Sequence, residues 1–192
     1  MCIRDRANTG QTPLSQRTLY VGTWFDHSLY ALHANDGTVL WRAQGGSHSD
    51  EALAIDNGIV FCGLDDYAVY AVKASDGSPL WRYQTSGIIN SPPKATGGIV
   101  YVGSWDNTFY ALHAGKGSLL WKYTTGGQIH SSPVVINNTV YFGSGDGQVY
   151  ALRASDGTVL WHYTVAGGVY GSPTIVNGTL YQGLTPPQCL RI

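Results

Sequence analysis

Apolar residues in this chain come in short runs separated by pairs and triplets of Asn, Asp, Gly and Ser. One stretch carries the pattern in full. Pro133 to Ile136 is apolar and stops at Asn137-Asn138, and Thr139 to Gly143 is rich in β-branched and aromatic residues and stops at Ser144-Gly145-Asp146-Gly147. Gln148 to Arg153 follows, then Ser155-Asp156-Gly157, then Thr158 to Thr164. Runs of this length between turn formers predict four short strands joined by hairpins, because Asn and Gly tolerate the positive φ of tight turns. Helical spacing is kept nowhere over a useful length, so the chain reads as all-β.

The pattern repeats. Trp41, Trp81, Trp121 and Trp161 are 40 residues apart, as are Tyr30, Tyr70, Tyr110 and Tyr150, and Gly37, Gly77, Gly117 and Gly157. Gly22, Gly63, Gly103, Gly143 and Gly183 step by 41 and then by 40. The extra residue falls between Tyr20 and Tyr30, most simply Phe25 in a loop. A four-stranded meander at this period predicts the blade of a β-propeller, in which each sheet covers its neighbour. Burial on both faces accounts for strands that are apolar without clean alternation. The recurring Trp41, Trp81, Trp121 and Trp161 are expected between adjacent sheets in a structural role.

Composition narrows the function. Of 192 residues, 43% are hydrophobic and 12% charged, with 25 glycines and a net charge of -1. No run of Lys and Arg offers a basic face, so no nucleic acid is expected as a partner. No apolar stretch approaches the roughly 18 residues of a membrane span. Cys2, Cys62 and Cys189 are too scattered for a disulfide framework or a zinc site. Cys62 stands where the other repeats have Val21, Val102 and Phe142, and reads as a core hydrophobe.

Ala31 to Trp41 matches an eleven-residue tryptophan-docking motif: Ala at its head, Asp-Gly in its middle, and Trp four residues after the Gly. The frame recurs at Ala71 to Trp81, Ala111 to Trp121 and Ala151 to Trp161. On these residues the chain resembles the pyrroloquinoline-quinone-like (PQQ-like) propeller repeat family over residues 18–184. The acidic third position of the motif is replaced by His33, Lys73, His113 and Arg153. Residues 1–17 look foreign to the repeat and lack the apolar centre of a signal peptide, and residues 185–192 are off-pattern; both are expected outside the propeller. Strands then count to three whole blades with a partial blade on each side, about four in all and an incomplete ring. Ser172 to Val176 closing a four-bladed ring, or two chains joining, would relieve the open ends. Otherwise the exposed blade faces favour self-association.

In a meander, the second-to-third loops and the blade-to-blade connections share one rim. The opposite rim is monotonous: Asn57-Gly58, Gly97-Gly98, Asn137-Asn138 and Asn177-Gly178 are explained by turn geometry. The first rim varies. Ahead of each inner strand stand Asp50-Glu51, Asn90, His130 and Tyr170, polar groups expected at the mouth of the central channel. They either line a funnel for a ligand or peptide or cap loops against water. Asp26, Asp66, Asp106 and Asp146 recur in phase and should close hairpins by side-chain-to-backbone bonds. Trp24 and Trp105 lie on the same rim where other copies have Leu64 and Gly145. They suit partner contact or packing on a neighbouring loop.

The resemblance implies two kinds of protein. One is a non-catalytic binding scaffold outside the cytoplasm, of the envelope assembly-factor or the sensor and surface kind, with a protein or peptide partner. The other is a fragment of a quinoprotein dehydrogenase holding PQQ and calcium. An adjacent cysteine pair, a full calcium set and a nucleophilic triad are not identifiable, so no catalytic residue, metal ligand or bound cofactor is assigned.

Overall fold

The computed structural model describes residues 17–23, 26–44 and 53–184 with their side chains, together with the strand backbones of Cys2–Asp5 and Gln188–Arg191. These residues form five separate antiparallel sheets. The first contains β1 (Cys2–Asp5), β2 (Thr18–Gly22), β3 (Ser28–His33) and β4 (Val39–Gln44). The second contains β5 (Ala54–Asp56), β6 (Ile59–Leu64), β7 (Ala68–Lys73) and β8 (Pro79–Gln84). The third contains β9 (Lys94–Thr96), β10 (Ile99–Gly103), β11 (Thr108–His113) and β12 (Leu119–Thr124). The fourth contains β13 (Val134–Ile136), β14 (Thr139–Gly143), β15 (Gln148–Arg153) and β16 (Val159–Thr164). The fifth holds β17 (Thr174–Val176), β18 (Thr179–Leu184) and β19 (Gln188–Arg191).

Within every sheet the strands are hydrogen-bonded in sequence order, so each is a meander. The turns expected at one rim have the geometry their residues require: Asn57, Asn137, Asn138 and Asn177 all take positive φ. The sheets agree with the expected count of about four blades in an incomplete ring, with one strand added near each end. β1 supplies a first strand to the opening sheet, pairing Cys2 to Asp5 with Gly22 to Leu19, and β19 supplies a third strand to the last. An unpaired edge of β2 or β18 offers a row of backbone donors and acceptors to any extended segment nearby, whatever its repeat phase. Among the described residues, apolar cores join each sheet to the next from the first to the fifth and none joins the fifth to the first, as in an incomplete ring.

The cores lie between sheets. β10 and β11 send Val100, Val102, Tyr110 and Leu112 back onto Phe61, Val69 and Ala71 of the second sheet. The same strands send Tyr101, Phe109 and Ala111 forward onto Val140, Phe142 and Leu152 of the fourth. Phe109 stacks on Phe142 with centroids 4.1 Å apart. Similar clusters join the first sheet to the second and the fourth to the fifth. Each fully buried Phe or Leu contributes about 1.5–3 kcal/mol, so the stack is held by many such side chains.

The repeated tryptophans occupy the same boundaries. The indole Nε1 of Trp41, Trp81 and Trp121 donates to the carbonyl of Ala74, Ala114 and Ala154, at 3.0, 2.7 and 2.9 Å. Each ring lies over a glycine of the next sheet: a Cβ on Gly77, Gly117 or Gly157 would stand 2.6 Å from it. The periodic Gly and Trp are therefore two halves of one contact. Cys62 is buried between the first two sheets, and desolvation, with Asp66 nearby, pushes its thiol up to about 12. It stays protonated and inert.

Candidate functional site

The connections between sheets run along the rim that also carries the second-to-third strand loops. Trp105 N–H donates to Ile88 O, Ile129 N–H to Ser104 O, and Gly145 N–H to Gln128 O. Each connection also drops an apolar side chain inward. A Cβ on Gly103 would lie 2.2 Å from Ile129, so the glycine series that ends the second strands makes room for this plug.

The recurring aspartates pin these loops. Asp106 accepts from Thr108 N–H at 2.9 Å and Tyr110 O–H at 2.7 Å, and from Ser86 N–H of the preceding connection at 3.0 Å. Asp146 repeats the set with Gln148 N–H, Tyr150 O–H and Gly126 N–H. The expected bonds to backbone are present, and tyrosine is a partner the spacing did not announce. Burial and the neighbouring carboxylate raise the Tyr110 and Tyr150 phenols well above their usual value. Asp26 accepts from the hydroxyls of Thr23 and Tyr30, which with Arg42 lower its carboxyl to about 2.

Beside these pins the rim holds a ladder of three rings. Trp105, in the β10–β11 loop, packs on His130 with centroids 4.9 Å apart. His130, in the connection to the fourth sheet, meets Tyr170 edge-on at 5.1 Å. Tyr170, in the connection to the fifth, is 48% exposed. Three segments thus meet across two blade boundaries. Gly168 makes room for the last ring, since a Cβ there would lie 2.6 Å from the Tyr170 ring. Partial burial lowers the His130 pKa below its usual value, which favours the neutral ring, and its Nε2 stands 3.4 Å from Gln128 Oε1. The Trp105 indole N–H is buried with no hydrogen-bond partner among the described residues.

Two and three residues after His130 and Tyr170 in the chain, Ser132, Pro133, Ser172 and Pro173 help line a cleft of about 480 Å³. Lys94 is the charged residue of its lining, beside Val134 and Ile136.

Of the residues singled out on this rim, Trp105, His130 and Tyr170 come together. Asn90 occupies the matching position one repeat earlier, half-buried, and is not part of the ring stack. Asp50, Glu51 and Trp24 lie outside the described residues. Gln128 and Gly168 were not singled out, because neither position is held constant by the repeat.

Among the described residues no three of His, Cys, Asp and Glu converge as a metal set. No described helix is long and apolar enough to cross a membrane.

A family model described as outer membrane protein assembly factor BamB matches residues 6–87 and 25–183. No curated protein matches. BamB from Moraxella catarrhalis superposes with a TM-score of 0.81 at 20% identity, covering 91% of this chain and 54% of that one. The computationally designed Ika8 protein gives 0.80 at 17%, covering 94% and 56%. A quinohemoprotein alcohol dehydrogenase from Pseudomonas putida gives 0.81 at 18%, covering 91% and 38%. This chain therefore spans about half of the BamB chain and less of the dehydrogenase, and at these identities the likeness is one of fold. Repeat, blade architecture and family match agree: the chain belongs to the PQQ-like propeller repeat family described by the assembly factor BamB.

Proposed function

We propose that this propeller is a non-catalytic binding scaffold of the cell envelope, of the assembly-factor or sensor and surface kind. Its partner is an extended protein segment taken at the rim of Trp105, His130 and Tyr170. The observation that carries this reading is the ring ladder itself. Three side chains that the repeat does not require are stacked across two blade boundaries, beside a cleft, with Tyr170 half exposed. Aromatic side chains give large contact area at low entropic cost and are enriched where proteins bind proteins. Trp41, Trp81, Trp121 and Trp161 act instead as blade-docking residues, which leaves the rim free to vary. Asp50, Glu51, Asn90 and Trp24 extend the same rim into the earlier blades by repeat phase.

The test is a titration with a fluorescent synthetic peptide of about ten alternating apolar and polar residues, the form of an outer-membrane strand. Saturable binding is expected, weakened roughly tenfold or more in His130→Ala/Tyr170→Ala with the fold intact. Absence of saturable binding overturns the extended-segment partner, and binding indifferent to both substitutions overturns the rim. Calcium-dependent dye reduction after addition of PQQ would overturn the non-catalytic reading in favour of a quinoprotein dehydrogenase.

A further inference from the structure

The rim opposite Trp105 repeats itself except in the third blade. The turns from third to fourth strand close alike: Gly77 N–H donates to Lys73 O at 2.9 Å, Gly117 N–H to His113 O at 2.8 Å and Gly157 N–H to Arg153 O at 2.9 Å. Elsewhere an aspartate caps the turn. Asp36, Asp76 and Asp156 accept from the backbone N–H of Thr38, Ser78 and Thr158 at 2.9, 2.8 and 2.9 Å. The third blade has Lys116 at that position, and an ammonium has no lone pair to offer Ser118 N–H. Gly115 N–H turns to His113 Nδ1 instead, at 3.1 Å. A local rule given up where the fold gains nothing points to a use of the surface.

Two further departures lie beside Lys116. Leu119 stands where the other blades have Val39, Pro79 and Val159, and Lys122 where they have Arg42, Arg82 and His162. Arg42 and Arg82 are tied to Asp26 and Asp66 at 3.3 Å, and His162 meets Gln148. The ammonium groups of Lys116 and Lys122 make no ion pair or hydrogen bond among the described residues. Asp76 and Asp156 lie beside Lys73 and Arg153, so the positive excess belongs to the third blade. Leu119 and Leu120 are 40% and 45% exposed, and Trp121 is buried between the exposed Leu120 and Lys122. Neighbouring sheets cover both faces of the third, so this corner is surface of the assembled stack.

The shape of the rim selects the partner. Leu40, Leu80, Leu120 and Leu160 hold one repeat position, are all partly exposed, and in a propeller stand at one level around the axis. Apolar side chains at one level, with free cations among them, match a flat partner that is anionic at its surface and apolar beneath. An extended peptide needs a groove, whereas the neighbouring turn projects freely: nothing lies within 4 Å of a Cβ on Gly97 or Gly98.

We propose that this rim rests on an anionic lipid bilayer through the third blade. Leu119 and Leu120 enter the boundary between headgroups and acyl chains, and Lys116 and Lys122 meet lipid phosphates. The rim of Trp105, His130 and Tyr170 is then turned away from the lipid.

Co-sedimentation of the full chain with vesicles tests this, using phosphatidylglycerol and phosphatidylcholine in equal parts beside phosphatidylcholine alone. Binding to the anionic vesicles is expected, and it should fall with added salt. Lys116→Asp and Leu119→Val restore residues of the other blades, so the fold should be kept, as a urea titration checks. Together they should weaken binding roughly tenfold or more. No binding to anionic vesicles, or equal binding to both kinds, overturns the proposal. Binding that the paired substitution leaves unchanged in a folded chain overturns it too. Capture of poly-glutamate in place of vesicles would overturn the bilayer in favour of an acidic protein segment. Should the paired variant fail to fold, Lys122→Gln alone should weaken binding about fivefold, and no change there overturns the corner.

Discussion

The boundary between the third and fourth sheets and the rim above it are built from the same two blades by different rules. At the boundary, Trp121, Gly157 and Ala154 reproduce what Trp81, Gly117 and Ala114 do one repeat earlier, to within a few tenths of an ångström in the indole bond. On the rim, His130 has Asn90 as its counterpart, and Trp105 has Gly145. A contact that must recur at every boundary holds its residues to one solution. A loop that only has to be pinned, by Asp106 or Asp146, leaves its remaining positions open to other uses.

If that division is right, substitutions at the boundary should cost stability and those on the rim should not. Trp121→Ala removes a buried aromatic ring and its hydrogen bond, and should lower unfolding free energy by about 3–5 kcal/mol in a urea titration. A loss under about 1 kcal/mol would break the comparison. Gly103→Ala drives a Cβ into Ile129 and should cost about 1–3 kcal/mol. Pairing it with Ile129→Ala should give coupling of opposite sign, since the second change clears the space. Tyr110→Phe strips one donor from Asp106 and should cost about 0.5–1.5 kcal/mol.

The rim effects are smaller and depend on pH. Burial lowers the His130 pKa in the folded chain, so the unfolded chain binds that proton more readily. Stability from this group is complete above the usual value of 6.5 and is lost as the pH falls below it toward the folded value. His130→Phe should flatten that part of a stability–pH curve measured between pH 7 and 5, while changing stability at pH 7.5 by only about 0.5 kcal/mol. A slope unchanged by the substitution would show that the ring ladder does not exclude the imidazolium.

How much was legible in the sequence follows the same division. Strand positions, turns and the Trp–Gly pairing could be read because each appears several times in phase, so one local ambiguity was corrected by the other copies. The first strand of the opening sheet could not be read. Cys2 to Asp5 has no repeat phase and is recruited by an unpaired edge. Gln182 was equally hidden: it stands where other repeats have Val21, Cys62, Val102 and Phe142, yet is fully buried and bonded to Gly171 O at 2.7 Å. The rim residues Trp105, His130 and Tyr170 were each visible as departures from the repeat. Their stacking was not, because it depends on the space left by Gly168 and on loop paths that a spacing of 40 residues does not encode.

The account rests on sheets docked face to face through their indoles. Hydrogen exchange at the assigned indole N–H groups of Trp41, Trp81 and Trp121 measures that docking without any substitution. All three should be protected to nearly the level of global unfolding, because each proton leaves its alanine carbonyl only when two blades part. Exchange of these three indoles at the rate of a free tryptophan side chain would contradict it.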